Sequence, residues 1–197
     1  MGIVREFAVL RPFDTLLYAS KLMVLEHVPK SIVIDERGVP VGTITQKDIV
    51  KFVYQMGEDR PMENVMLSEV MRKDVICVSP NIDPFDAAQI MIDKKQPLLA
   101  VCDDHEKALG IIIKSDLSNF YASQVRGLQK VKDYMSSPVV TIDPLAKLSE
   151  AVEKMVESNL SRLVVFTPGK VLGVVTTTDL LYMAAALKYR DLKIEVR

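Results

Sequence analysis

Apolar residues along this chain switch between two spacings, and they do so three times. Short β-branched runs at residues 7–10, 75–78 and 139–142 each stop at a proline and predict strands. After each proline the spacing becomes helical. It is clearest where Leu148, Ala151, Val152, Met155 and Val156 fall on one face. In the second copy Asp83 followed by Pro84 predicts a capped helix start. Apolar runs at 31–35, 98–102 and 162–166 then lead through polar turns into a strand opened by a glycine, which predicts hairpins. A second helix follows each hairpin, over 46–56, 114–125 and 177–187.

The three copies keep register. Counting from Pro12, Pro80 and Pro144, the alanines Ala19, Ala87 and Ala151 and the methionines Met23, Met91 and Met155 recur at constant steps. The glycines Gly42, Gly110 and Gly173 and the aspartates Asp48, Asp116 and Asp179 close each copy. This is an internal threefold repeat. Its units span 1–56, 62–125 and 131–187, and the tail 188–197 alternates like an edge strand. The expected fold class is α+β: three tandem β-α-β-β-α units, each a three-stranded sheet with two helices on one face. Such a sheet has a second face that needs a partner.

The ending of each unit carries the candidate chemistry. It reads GTITQKDI, GIIIKSDL and GVVTTTDL. Thr45 with Asp48 and Thr176 with Asp179 form Thr-x-x-Asp at a helix start, whereas Ile113 stands before Asp116. A helix N-terminus offers unpaired N–H groups to a phosphate. The aspartate offers two acceptor oxygens to a ribose diol. The same spacing also makes a capping box that needs no ligand. Eighteen residues past each proline stand Lys30, Leu98 and Arg162, so the middle unit lacks the base as well as the hydroxyl. Two live sites and one degenerate one are expected.

The remaining composition mostly excludes. Net charge is −1, with no basic run to mark a nucleic-acid or anionic-membrane surface. Cys77 and Cys102 sit in apolar strands and read as buried, reduced thiols. His27 and His105 lack neighbours at metal spacing, and the acidic turn at 103–106 reads as a solvated hairpin loop. Neither a catalytic set, a Walker-type glycine loop nor a metal cluster is present, so no enzyme is expected. A soluble, cytoplasmic chain without a membrane span is expected.

With the leaders LSEVM and VKDYM, the middle motif SRLVV and the ending GVVTTTDL, the chain resembles the CBS domain, a regulatory module named after cystathionine β-synthase. The resemblance implies units paired sheet to sheet, with an adenosyl ligand (AMP, ADP, ATP or S-adenosylmethionine) bound in the clefts between them. It places ribose and phosphate at Thr45, Asp48, Thr176 and Asp179. It brings Lys30 and Arg162 to the phosphate, and gives the base a slot from Val9 and Ser31 in unit one and Thr141 and Leu163 in unit three. The implied function is a non-enzymatic sensor that signals to a separate protein partner. An odd number of units implies a homodimer that supplies the missing mate, and the sequence leaves open which unit lacks one. A ligand-free interaction scaffold is the alternative.

Overall fold

A computed structural model describes residues 3–56, 60–124, 130, 132 and 135–187. Unit one contains α1 (Leu16–Leu25), β1 (Lys30–Ile34), β2 (Pro40–Thr45) and α2 (Gln46–Met56). After a 3-10 turn at Met62–Asn64 and the short α3 (Leu67–Val70), unit two contains β3 (Cys77–Val78), α4 (Pro84–Asp93), β4 (Leu98–Cys102), β5 (Ala108–Ile113) and α5 (Lys114–Gln124). Unit three contains β6 (Thr141–Ile142), α6 (Leu148–Glu157), β7 (Arg162–Thr167), β8 (Lys170–Thr176) and α7 (Thr177–Leu187). The fold is α+β. In units two and three the sheet order is β3-β4-β5 and β6-β7-β8, a parallel pair followed by an antiparallel hairpin.

Two expectations need correction. The first strand of unit one does not form: the backbone of the segment from Phe7 pairs with β1 at a single bridge, Leu10 to Val33, so that sheet has two strands. The cysteines are not free thiols: Cys77 and Cys102 lie on adjacent strands with Cα atoms 5.6 Å apart and form a disulfide. The expected edge strand at 188–197 lies outside the described residues.

Local chemistry fixes the element ends. Thr15 and Asp83 accept hydrogen bonds from Tyr18 N and Phe85 N and cap α1 and α4, with Pro84 at the first helical position. All three first helices end alike. His27, Lys95 and Asn159 take φ of 53°, 52° and 55°, and the N–H of the next residue returns to Met23 O, Met91 O or Met155 O at 2.9–3.0 Å. This is a Schellman closure built three times without glycine. It throws the chain sharply from helix into β1, β4 or β7.

Packing ties unit one to both others by opposite faces. Its helix side (Leu16, Ala19, Met23, Ile49) shares one core with Ala151, Met155, Leu180 and Leu181 of unit three. Its sheet side sets Ile32 and Ile34 against Ala100, Ile111 and Ile113 of unit two, with Phe7 and Val75 at the edges. Unit two keeps its helix side to itself, around Ala87, Met91, Leu99 and Leu117. The unit without a mate inside the chain is therefore unit three. At positions equivalent in register, Thr43 and Ile111 are fully buried while Val174 is 55% exposed. Phe166, where units one and two place the buried Ile34 and Cys102, is also exposed.

The glycine-opened strands repeat that asymmetry. Leader segments cross over within the pair, Arg72 bridging to Thr43 and Arg5 to Ile111. A Cβ on Gly42 would stand 2.6 Å from the Met71 sulfur, and one on Gly110 would stand 2.5 Å from Val4. Only glycine permits that approach. Gly173 faces open space.

Candidate functional site

The starts of α2, α5 and α7 converge on one cavity of about 1090 Å³ where the three units meet. Lys30, Lys47, Arg72, Lys95, Lys114 and Arg162 line it, and among the lining residues Asp48 is the only carboxylate. Three helix N-termini and six cations around one opening make a strongly anion-attracting space. The rim is fixed across units one and three: Thr178 Oγ1 donates to Gln46 Oε1 at 2.6 Å, and Lys47 Nζ donates to Asn159 Oδ1 at 2.7 Å.

The Thr-x-x-Asp motifs close as capping boxes. Asp48 Oδ2 accepts from Thr45 N at 3.0 Å and Thr45 Oγ1 at 2.6 Å, while Asp48 N donates back to the threonine hydroxyl. Thr176 and Asp179 repeat the arrangement. Capping uses Oδ2 in each case and leaves Oδ1 of both aspartates without a hydrogen bond among the described residues, so the box does not exhaust either carboxylate. In the middle unit Asp116 accepts from Ile113 N at 2.8 Å and is otherwise held by Arg5, whose Nε lies 2.9 and 3.0 Å from its two oxygens.

Of the residues singled out in the sequence, Lys30, Thr45, Asp48, Arg162 and Thr176 line the cavity together. Asp179 stands behind Thr176 on an exposed face. Ser31, Leu163, Val9 and Thr141 are not among the residues that line this cavity. Ser31 is buried and donates to Ala8 O at 3.0 Å, and Leu163 belongs to the core shared with unit one. Val9 is exposed, and Thr141 lies in β6 paired to Val164. Strand residues answer to their sheet and core first.

The sequence reading missed Lys47, Lys114, Arg72, Lys95, Asn159 and Gln96. Lys47 and Lys114 stand in the variable interior of the helix-start motif, a signal that was present. Lys95 and Asn159 reach the cavity through the left-handed turns that end α4 and α6, which residue type alone does not announce. Gln96 is 3% exposed and lines the cavity, and its Oε1 is a buried acceptor without a partner. Thr43 Oγ1, in the sheet-facing position of unit one, is buried and unpartnered too. Such orphans cost stability unless a ligand or water serves them.

Burial lowers the pKa of the Lys30 ammonium, and Lys114 and Lys47 push it the same way, while Asp116 and Asp48 oppose them. An anion entering the cavity would relieve that repulsion. Asp74 is held at about 2, chiefly by its hydrogen bond from Arg72, with Gln96 assisting. Its folded pKa lies below the ordinary 3.8, so its stabilising contribution is present above that value and is lost as pH falls toward 2. In urea denaturation the difference between wild type and Asp74→Asn should stay constant at higher pH and shrink steadily across that acid window.

The CBS domain family pattern matches residues 3–55, 67–123 and 131–185. With three repeats matched in register and two of them packed sheet to sheet, the chain belongs to the CBS-domain family. It is 32% identical over 134 residues to an uncharacterised protein of Methanopyrus kandleri, covering 64% of this chain and 68% of that protein. It is similar to protein MJ1225 of Methanocaldococcus jannaschii, proposed as an archaeal homologue of g-AMPK. The structures superpose with a TM-score of 0.80 at 21% identity, over 92% of this chain and 70% of that one. In sequence that relative is 24% identical over 150 residues, 71% of this chain and 54% of its length. The chain thus spans about half the length of several curated relatives that it matches. A CBS domain pair of protein MJ0100, solved with 5′-methylthioadenosine and S-adenosyl-L-methionine, superposes with a TM-score of 0.54 at 22% identity, over 62% of this chain and 94% of that one. Among the described residues no helix is long and apolar enough to cross a membrane, and no group of His, Cys, Asp and Glu could hold a metal.

Proposed function

We propose that the chain is a regulatory module that binds an adenosyl ligand (AMP, ADP, ATP or S-adenosylmethionine) in the cleft of unit one and signals to a separate protein. The observation that carries this reading is the position of Asp48. That residue lines a cavity whose other charged lining groups are all cations, and its cap uses one carboxylate oxygen and leaves the other. A ribose diol on Asp48 directs the rest of a nucleotide toward Lys30, Lys47 and the start of α2. The adenosyl ligands of the MJ0100 pair support the same ligand class. Asp179 offers a second site of the same kind, completed by whatever covers unit three.

That cover is a second copy of this chain. Unit three holds both halves of a self-complementary contact: an open sheet face with an open Gly173, and its own leader with Met135 exposed. Met135 stands where unit two carries Met71, the side chain that seals Gly42 across the intramolecular pair. A two-fold axis lets each leader seal the other copy, which is the isologous geometry of a homodimer.

A thermal-shift panel with AMP, ADP, ATP, NADH and S-adenosylmethionine tests the ligand. A binder at a hundredfold excess over its Kd should add roughly 2.7 kcal/mol of stability. If no member moves the transition at millimolar concentration, the ligand-free scaffold reading replaces this one.

A further inference from the structure

The pair formed by units one and two places two aspartates, Asp48 and Asp116, at equivalent helix starts, and the chain treats them differently. Arg72 lies across β2 and Arg5 lies across β5 in the same way, bridging Thr43 and Ile111. Each arginine therefore starts beside the strand that leads to an aspartate, Asp48 in one cleft and Asp116 in the other. Arg5 closes on its aspartate: Nε and Nη2 both donate to the carboxylate, and the Asp116 side chain keeps only 9% of its surface exposed. Arg72 does not close. Its Nη2 and Nε donate instead to Asp74, at 2.8 and 3.2 Å. Asp74 is itself fixed by Gln96 Nε2, which donates to its Oδ2 at 3.0 Å and its carbonyl at 2.9 Å.

The counterparts of those two holding residues are missing beside Arg5. Two positions after Arg5, where Asp74 follows Arg72, stands Phe7, packed into the sheet-to-sheet core. Two positions before Lys30, where Gln96 precedes Leu98, stands Val28. Neither can accept from a guanidinium. A carboxylate beside a guanidinium fork and lacking a rival acceptor forms the bidentate pair.

We infer that Arg5 is a built-in occupant of the Asp116 cleft, and that Asp74, steadied by Gln96, keeps Arg72 off Asp48. The guanidinium takes the acceptor oxygens that a diol needs, so the pair admits one nucleotide, at Asp48. Asp74 is then a positioning residue that decides which cleft is open. This inference rests on the reading of Asp48 as the diol-holding carboxylate.

The test is calorimetric titration of the full chain with AMP in an Asp179→Ala background, which removes the third aspartate from the count. The unaltered pair should bind one AMP per chain, and Arg5→Ala should add a second binding event. Asp74→Ala should weaken the first event at least tenfold. Asp74→Ala with Arg72→Ala should return it to within threefold of Arg72→Ala alone. Two AMP bound by the unaltered pair, or no change on both Arg5→Ala and Asp74→Ala, overturns the inference. Arginine Nε–H resonances read the pairing without ligand. The Arg5 signal should lose its exchange protection on Asp116→Asn. In Asp74→Ala, the Arg72 signal should become sensitive to Asp48→Asn. If AMP does not bind at all, the nucleotide reading has failed. The spectra then decide the pairing alone, and an Arg5 signal indifferent to Asp116→Asn rejects it.

Discussion

Asp48→Ala should weaken AMP binding by about 100-fold, the loss of roughly 3 kcal/mol from two hydrogen bonds to a charged acceptor. The chain itself should suffer little. The substitution removes the carboxylate half of a capping box, which costs about 1 kcal/mol and lowers the melting temperature by roughly 2–4 °C in a chain of this size. The two readouts separate the competing readings. Titration and melting of the same variant should give a large change in affinity beside a small change in stability. A small change in both would leave Asp48 as a helix cap only. Asp179→Ala is the comparison: it removes the same cap in unit three and the second site with it, and should leave AMP affinity at Asp48 unchanged.

Val174→Asp should turn a dimer into a monomer. Val174 occupies the register position of Ile111, which is fully buried when a neighbouring sheet covers it. In the proposed dimer the new carboxylate would be trapped in an apolar contact without a cation, at a cost of several kcal/mol per copy. The dimer dissociation constant should rise more than 100-fold, read by sedimentation velocity. Leu145→Asp, at a side chain 92% exposed, should leave the assembly unchanged. A wild-type chain that sediments as a monomer at tens of micromolar would reject the second copy as the cover.

How much of this could be read from the sequence follows from the range of the forces involved. The three hairpins and their flanking helices were legible because periodicity, prolines and glycines act locally. The pairing of Thr45 with Asp48 and of Thr176 with Asp179 was legible for the same reason. Unit one's missing strand was not, since whether residues 7–10 join a sheet depends on a parallel pairing with residues more than twenty positions away. The contact of Arg5 with Asp116 spans 111 residues. Nothing in either local sequence marks it. The disulfide was misread because apolar flanks describe burial and say nothing of which sulfur lies next door. Ser31 and Leu163 illustrate a rule that holds generally: a strand side chain points to the side its register dictates, and here that is an Ala8 carbonyl and the core shared by units one and three.

Unit one is glued on both sides, by hydrocarbon to unit three and by its sheet to unit two. It has no loose surface along which it could slide alone. Any rotation that a guest imposes on its first turn of α2 must therefore be divided between a joint of helices and a joint of strands. In the proposed module the two joints share that movement. In the proposed function unit one is less a sensor head than the bell crank of a linkage, turning a push on one arm into movement of another.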